Sequence, residues 1–471
     1  MTHDFLKPIR LATHVWIFVG LLAPTCSNAQ SVLNRLSGFD ETRLTEAAPW
    51  AENPQNETLG REAAKLIYQV NRLARGGSLQ ESKPTSDSIS DPLASVVNIN
   101  GHATKIDRWR LPEELADVLN FTELYRVEVV APDTTESVVV ITSVVPNRWL
   151  RDGGDVRFPT SATGVLIRRS DDPMPAVIAA PSLAWLAGAD ADSEPDDVPA
   201  GWLMLGRRGF DVALLEGVRA RNRQPLREED AAAFYPLLRI ASSLGQPDDP
   251  ANENRALDAE PTLEPAADLL RDAEKMVGRY ISIDLKTIRV TRINVTEPTT
   301  QQQLGSDHYW QLDAIGDLGN VVIKIESGDG ESATFENRYP VSVAIKELPP
   351  FLMKAISPSN PSPDTETIDV AMISTQVSVA GFFYRLWSYE SDFMNQHGGG
   401  KQFGPLIIAS RIMDREPTRT DAVGVSRLGW YFAALVVFGI LAATVGGIIS
   451  SRRDSKAKQR ARASLPDRIV D

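Results

Sequence analysis

Cysteine is nearly absent from this chain of 471 residues: there is one, Cys26, which excludes a disulfide scaffold and any zinc centre built on thiolates. A basic excess is missing as well. Lys and Arg number 49 against 62 Asp and Glu, a formal charge of -13. That balance argues against nucleic acid as a partner, because neutralising phosphates needs a cationic face. Histidine is scarce too, and His102, His308 and His397 are too scattered to predict a metal centre. What is present is 42% hydrophobic and 24% charged residues, enough for real cores. The length predicts two or three domains.

Both ends carry address signals. Residues 1–29 place Lys7 and Arg10 before a short apolar run from Val15 to Ala23, then Ser27-Asn28-Ala29, the order of a secretory signal peptide. The rival is an uncleaved membrane helix, but an apolar core of about nine residues makes only about 14 Å of helix. A lipidated Cys26 fits less well, since Thr25 and Ala23 replace the small residue and leucine expected before it. Residues 428–449 are free of charge and long enough, at about 33 Å, to cross a hydrocarbon core of about 30 Å. Trp430 and Tyr431 stand at its edge, and Arg452, Arg453, Lys456, Lys458, Arg460 and Arg462 follow. That is the pattern of a single-pass anchor in the plasma (inner) membrane with a cytoplasmic C-terminus. Its expected partner is the lipid around 428–449. Gly439, Ala443 and Gly447 share one helix face, which reads either as a weak dimerisation stripe or as ordinary small-residue usage in a span.

Between the ends, spacing predicts an N-terminal helical segment over 30–75, with Ala63, Leu66, Ile67, Val70 and Leu73 on one face and Gly76-Gly77 ending it. Residues 76–93 read as a flexible linker. Residues 188–276 read as acidic linkers around a helical connector, in which Glu228, Glu229 and Asp230 suit a helix start and Pro236 a kink or a new start. A juxtamembrane linker, 414–427, precedes the anchor, and 450–471 form the basic tail.

The most informative feature is self-similarity between 94–187 and 277–413. Tyr125-Arg-Val127, Val139-Val140-Ile141, Val145-Pro146, Gly164 to Arg168 and Pro175 to Ala179 are answered in order by Tyr309 to Leu312, Val341 to Ile345, Leu348-Pro349, Gly381 to Arg385 and Pro405 to Ala409. Alternation at Val341, Val343, Ile345 and at Val377, Val379 predicts half-buried strands. Conserved internal spacing with variable gaps suits β structure with loop insertions. The expectation is a mainly β, α+β chain: two OB-like small β-barrel repeats, of the oligonucleotide/oligosaccharide-binding type, plus one C-terminal transmembrane helix.

On Val377 to Arg385, Pro405 to Ala409 and the stretch from Gly209 to Tyr235, the chain resembles uncharacterised exported single-pass membrane proteins of planctomycete-type bacteria. The resemblance implies placement in the envelope and carries no catalytic residue.

Chemical motifs are sparse. His397-Gly398-Gly399-Gly400 is unaccompanied by a G-x-S-x-G turn and reads as an insertion loop. Asp190, Asp192 and Glu194 begin like a calcium loop, but Pro195 stands where the turn glycine belongs. Phe382, Phe383, Tyr384, Trp387 and Tyr389 form either a stacking face or a packing surface, with Phe383 expected inward and Phe382 and Tyr384 outward. No catalytic, cofactor-binding or metal residue is assigned. Three function classes follow: an extracytoplasmic binding or scaffolding protein with an envelope protein or polymer as partner, a hydrolase of envelope polymers or esters, and a receptor, the last weakened by a tail of about 20 residues.

Overall fold

The computed structural model describes residues 32–77, 79, 92–131, 137–152, 157–170, 174–189, 197–244, 259–326, 332–356, 370–389 and 401–415. The expected signal peptide, the apolar run 428–449 with Gly439, Ala443 and Gly447, the basic tail, Asp190, Asp192, Glu194 and His397 lie outside them. Among the described residues no helix is long and apolar enough to cross a membrane.

The chain is mainly β with helices, an α+β architecture built on two sheets. In the first, β1 (Val96–Arg110), β2 (Glu123–Val130) and β3 (Ser137–Thr142) run antiparallel. Then β3 pairs in parallel with β5 (Ala176–Ala179), β5 pairs with β4 (Phe158–Arg168), and β4 returns to β1, closing the ring. The second sheet repeats this order with β8 (Tyr280–Asn294), β9 (His308–Glu326), β10 (Ser332–Ile345), β13 (Gln402–Asp414) and β12 (Gln376–Tyr389), again with one parallel pair, β10 with β13. Short strands β6 (Ala184–Trp185), β7 (Thr262–Leu263) and β11 (Val370–Met372) add to the edges. β7 falls inside a stretch that reads as linker, because two exposed residues carry no periodicity.

The two sheets also share their irregularities. Bulges interrupt β1 between Ala103 and Lys105 and β8 between Thr287 and Arg289; others precede Arg168 in β4 and Arg385 in β12. Val97 lies opposite Gly164 as Ile281 lies opposite Gly381. Leu186 N–H donates to the Pro159 carbonyl at 2.9 Å, and Arg415 N–H to that of Gln376 at 3.0 Å. These anchors correct two of the sequence matches by one position: Tyr125 corresponds to Trp310 rather than Tyr309, and Ala179 to Ile408 rather than Ala409. In a ladder the pairing partner decides equivalence, and similar residue types can mislead by one place. A helix follows the third strand of each ring, α4 (Asn147–Asp152) after Pro146 and α11 (Pro350–Ile356) after Pro349, burying Trp149 and Leu352.

Each ring wears a helical layer on one outer face. The first is covered by α1 (Glu41–Ala47), a 3-10 turn at Ala48–Ala51 and α2 (Glu57–Arg75). Asp40 caps α1 by accepting the Arg43 N–H at 2.9 Å, and Asn56 caps α2 by accepting those of Thr58 and Leu59. So α2 begins before the run of apolar spacing that announces it. Leu66, Ile67 and Val70 of α2 share a core with Val139, Ile141, Val165 and Ile167 of the sheet. Gly60 sits on Trp109 so closely that a Cβ there would lie 2.7 Å from its ring.

α5 (Ala200–Arg207) sits between residues flanking the two rings, Gly206 on Ala187 and Trp202 Nε1 donating to the Val277 carbonyl at 3.0 Å. Over the second ring lie α6 (Leu214–Ala220), against β12, and α7 (Ala231–Leu244), against β13 and β10. α7 runs through Pro236 without a break: the proline costs the helix interior one N–H bond, and the burial of Phe234, Leu237, Leu238 and Ala241 in the shared core holds the helix together. This cover also corrects the half-buried reading of β10: Val341, Val343 and Ile345 are buried, and so are Ser342 and Ala344 between them. α3 (Glu113–Leu119), α8 (Ala266–Arg271), α9 (Ala273–Met276) and α10 (Pro298–Leu304) complete the connections.

Candidate functional site

The aromatic run on β12 lies beside α7, which rests chiefly on β13. Phe382, Phe383 and Tyr384 are all buried. Phe383 occupies the place of the inward Leu166, whereas Phe382 and Tyr384 correspond to the outward Val165 and Ile167, as alternation predicts. The Tyr384 ring meets Phe234 of α7 edge-on at 5.7 Å, and Phe234 meets Tyr309 at 5.5 Å. Burial pushes the Tyr309 phenol up to about 12 and raises that of Tyr384 as well. Trp387 meets Tyr389 with ring centroids 4.8 Å apart and planes tilted by 32°, both half-buried. Phe382, Phe383 and Tyr384 face protein, so the packing reading holds for these three over the stacking face.

Beside them lies a buried charge network that joins the connector to β12. The Arg385 side chain is fully buried, and its Nη2 reaches Asp230 Oδ2 at 2.7 Å and the Pro225 carbonyl at 3.1 Å. Its Nη1 donates to the Arg221 carbonyl. Asp230 also accepts from Arg221 Nε at 2.9 Å and from the Arg227 N–H at 2.9 Å. Burial pushes the Arg385 pKa down while Asp230 pushes it back. With its oxygens engaged in this way, Asp230 is a clamp and not a proton-transfer group.

A second set of carboxylates fastens the connector to the first ring. Asp211 Oδ1 accepts the N–H groups of Trp185 at 2.9 Å and Ala213 at 3.0 Å, Glu216 accepts the Asn147 N–H at 3.2 Å, and Asp197 pairs with Arg148. Burial, partly offset by those two N–H groups, pushes Asp211 up to about 6. An acid raised in the fold above its ordinary value of about 4 binds its proton more tightly folded than unfolded. Its contribution is therefore most favourable below about pH 4 and is lost as pH rises through 6. Asp211→Asn keeps the acceptor and removes the charge. Expected is a gain of about 1–3 kcal/mol at pH 7 over wild type, shrinking towards zero by pH 4 in paired thermal melts. A gap constant across that range would contradict it.

The two described histidines do not converge. His102 is buried in β1, while His308 Nδ1 lies 2.5 Å from Asp307 and 3.2 Å from Arg292, its ring edge-on to Trp310. Among the described residues no three His, Cys, Asp or Glu side chains are grouped so as to hold a metal ion.

An open polar site remains, at the root of a ribbon that sequence spacing registers only as a longer gap between blocks. β9 pairs with β8 no farther than Gly316, yet continues with β10 to Glu326. The divergence leaves a cleft of about 530 Å³. Lys286, Arg338, Asn320 and Asn337 line it together with Gln376. Arg415 in the wall pairs with Asp284, and Asp317 Oδ1 accepts the Gly319 N–H at 2.7 Å. Lys286 and Arg338 are exposed and have no ion-pair partner among the described residues. Asn337, at a bulge between Glu336 and Arg338, holds φ +64°, unusual for a residue with a Cβ. No sequence motif marks these residues, which come from four separate strands and the residue after β13. Compared with the models of known families and with curated proteins, the chain matches none.

Proposed function

We propose that the chain is a membrane-anchored, extracytoplasmic binding or scaffolding protein of the cell envelope. Its exported part is two tandem barrels of the oligonucleotide/oligosaccharide-binding type, 94–187 and 277–413, that arose by duplication. The closed order in which the third strand pairs in parallel with the fifth, with a helix between the third and fourth, supports that type. The shared bulges support the duplication. The observation that carries the binding reading is the contrast between closed and open surfaces. One outer face of each barrel is sealed by the chain's own helices and the buried acid Asp230 is locked by arginines, while the cleft below the ribbon presents exposed cations and amides. In that cleft Asp284 is held by Arg415 and Asp317 by a backbone N–H. Neither is arranged with a partner as the acid and base of a hydrolase.

The signal peptide and the basic residues after 428–449 support the topology. Protease added to intact spheroplasts should digest the barrels and spare a tag on the C-terminus; a protected bulk would refute the placement. Tagged protein extracted from membranes should retain an envelope partner. Turnover of an envelope polymer or ester by the purified protein, abolished by changing one carboxylate, would overturn the non-enzymatic reading.

A further inference from the structure

We propose that the cleft at the ribbon root receives an extended acidic peptide, which adds as a strand along the free edge of β9 while its carboxylates meet Lys286 and Arg338. This deepens the binding reading and rests on it.

The comparison of the two barrels carries the argument. Position for position, Lys286, Gln376 and Arg415 of the second correspond to His102, Pro159 and Leu186 of the first. The first barrel fills this corner with a buried histidine, a proline and a leucine. The second opens the same corner, lines it with charge and amide groups, and lengthens the adjoining hairpin. β2 and β3 are 8 and 6 residues long, where β9 and β10 are 19 and 14. Nothing in barrel closure requires these changes, since the first barrel closes without them. The left-handed Asn337 marks the same spot, and backbone held in such a conformation collects at binding sites.

The occupant follows from the edge and the charge. Beyond Gly316, β9 has β10 on one side and no strand on the other among the described residues. An unpaired strand edge is a template for another strand. The cleft holds Lys286, Arg338 and Arg415 against Asp284 and Asp317. Asp284 is taken by Arg415, and Asp317, across the ladder from Arg338, accepts the Gly319 N–H. That leaves Lys286 and Arg338 as cations with no ion-pair partner among the described residues of a chain of net charge -13, which favours carboxylates. No aromatic residue lines the cleft, so a sugar ring or a base finds no stacking surface there.

The test uses full-length protein in detergent and a fluorescent hexapeptide of alternating Val and Glu, read by anisotropy. Saturable binding is expected, weakening when salt is raised from about 0.05 to about 0.2 M. It should weaken at least about tenfold, the equivalent of 1.4 kcal/mol, in the Lys286→Glu/Arg338→Glu variant. A Val/Lys peptide should bind that variant instead. The Val/Glu peptide N-methylated at alternate residues keeps its charges but loses backbone donors, and it should not bind. Because both changed side chains are exposed, the variant should melt with wild type. If it does not, the salt series and the N-methylated peptide decide alone. Equal binding of the N-methylated peptide, preference for polygalacturonate over the peptide, or no binding of either would overturn the proposal. An envelope partner still co-purifying with the variant would then leave the wider binding reading standing, whereas loss of partners from wild type would remove that reading itself.

Discussion

Replacing Asp230 with Ala is expected to destabilise the protein by about 3–5 kcal/mol, the cost of leaving a buried charge without its partner. Arg385 has no solvent to turn to: its side chain is fully buried, and its remaining contacts are carbonyls of Arg221 and Pro225. Arg221 would lose its carboxylate in the same step. At about 2–4 °C per kcal/mol for a domain of this size, the melting midpoint should fall by roughly 10 °C. Arg385→Met alone should be comparably harmful, because Asp230 then keeps only Arg221 and a backbone N–H. The double change Asp230→Leu/Arg385→Met should recover part of the loss, since an apolar pair needs no compensation. The measurement is tryptophan-fluorescence melting of the three variants. Single changes within about 1 kcal/mol of wild type would show that this pair does not fasten the connector.

The next largest effect is expected at the glycine each barrel places on its fourth strand. A Cβ at Gly164 would lie 2.5 Å from the Ala179 carbonyl oxygen, and one at Gly381 would lie 2.4 Å from that of Ile408. Both clashes are with backbone in a closed ring, which cannot move aside as a flexible side chain can. Gly164→Ala and Gly381→Ala should each cost about 3 kcal/mol or more. Gly217→Ala, in α6, meets only the end of Arg221 and gains helix propensity, so it should stay within about 1 kcal/mol of wild type. Parallel losses at 164 and 381 test the shared geometry directly. A severe effect at one and none at the other would show that the two rings are not built alike.

Those two glycines were legible as a motif, Gly followed four residues later by Arg, without their physical reason being visible. The reason is the neighbouring strand of the ladder, whose carbonyl oxygen fills the space a Cβ would take, and that strand's residue comes 15 positions later in the first barrel and 27 in the second, counting from Gly164 to Ala179 and from Gly381 to Ile408. The same holds for Arg168 and Arg385, which share a place after a bulge yet differ in fate. The first meets Glu52 and the Pro175 carbonyl near the surface, the second is sealed under the connector against Asp230.

Local chemistry was therefore what the amino-acid order determined by itself. The apolar face of α2 and the strand alternation depend on residues a few positions apart, where backbone geometry imposes a period, while the charge balance, the expected address segments and the order of the repeated blocks are read from residue types along the chain without any contact. Tertiary structure decided the rest. Which strand faces were covered, the one-residue corrections to the repeat, the Asp230–Arg385 clamp across 155 positions and the cleft at the ribbon root all arise where distant segments meet. Such meetings are set by ring closure and by which apolar faces find each other, and no local pattern encodes the partner of a buried charge or the emptiness beside a diverging strand.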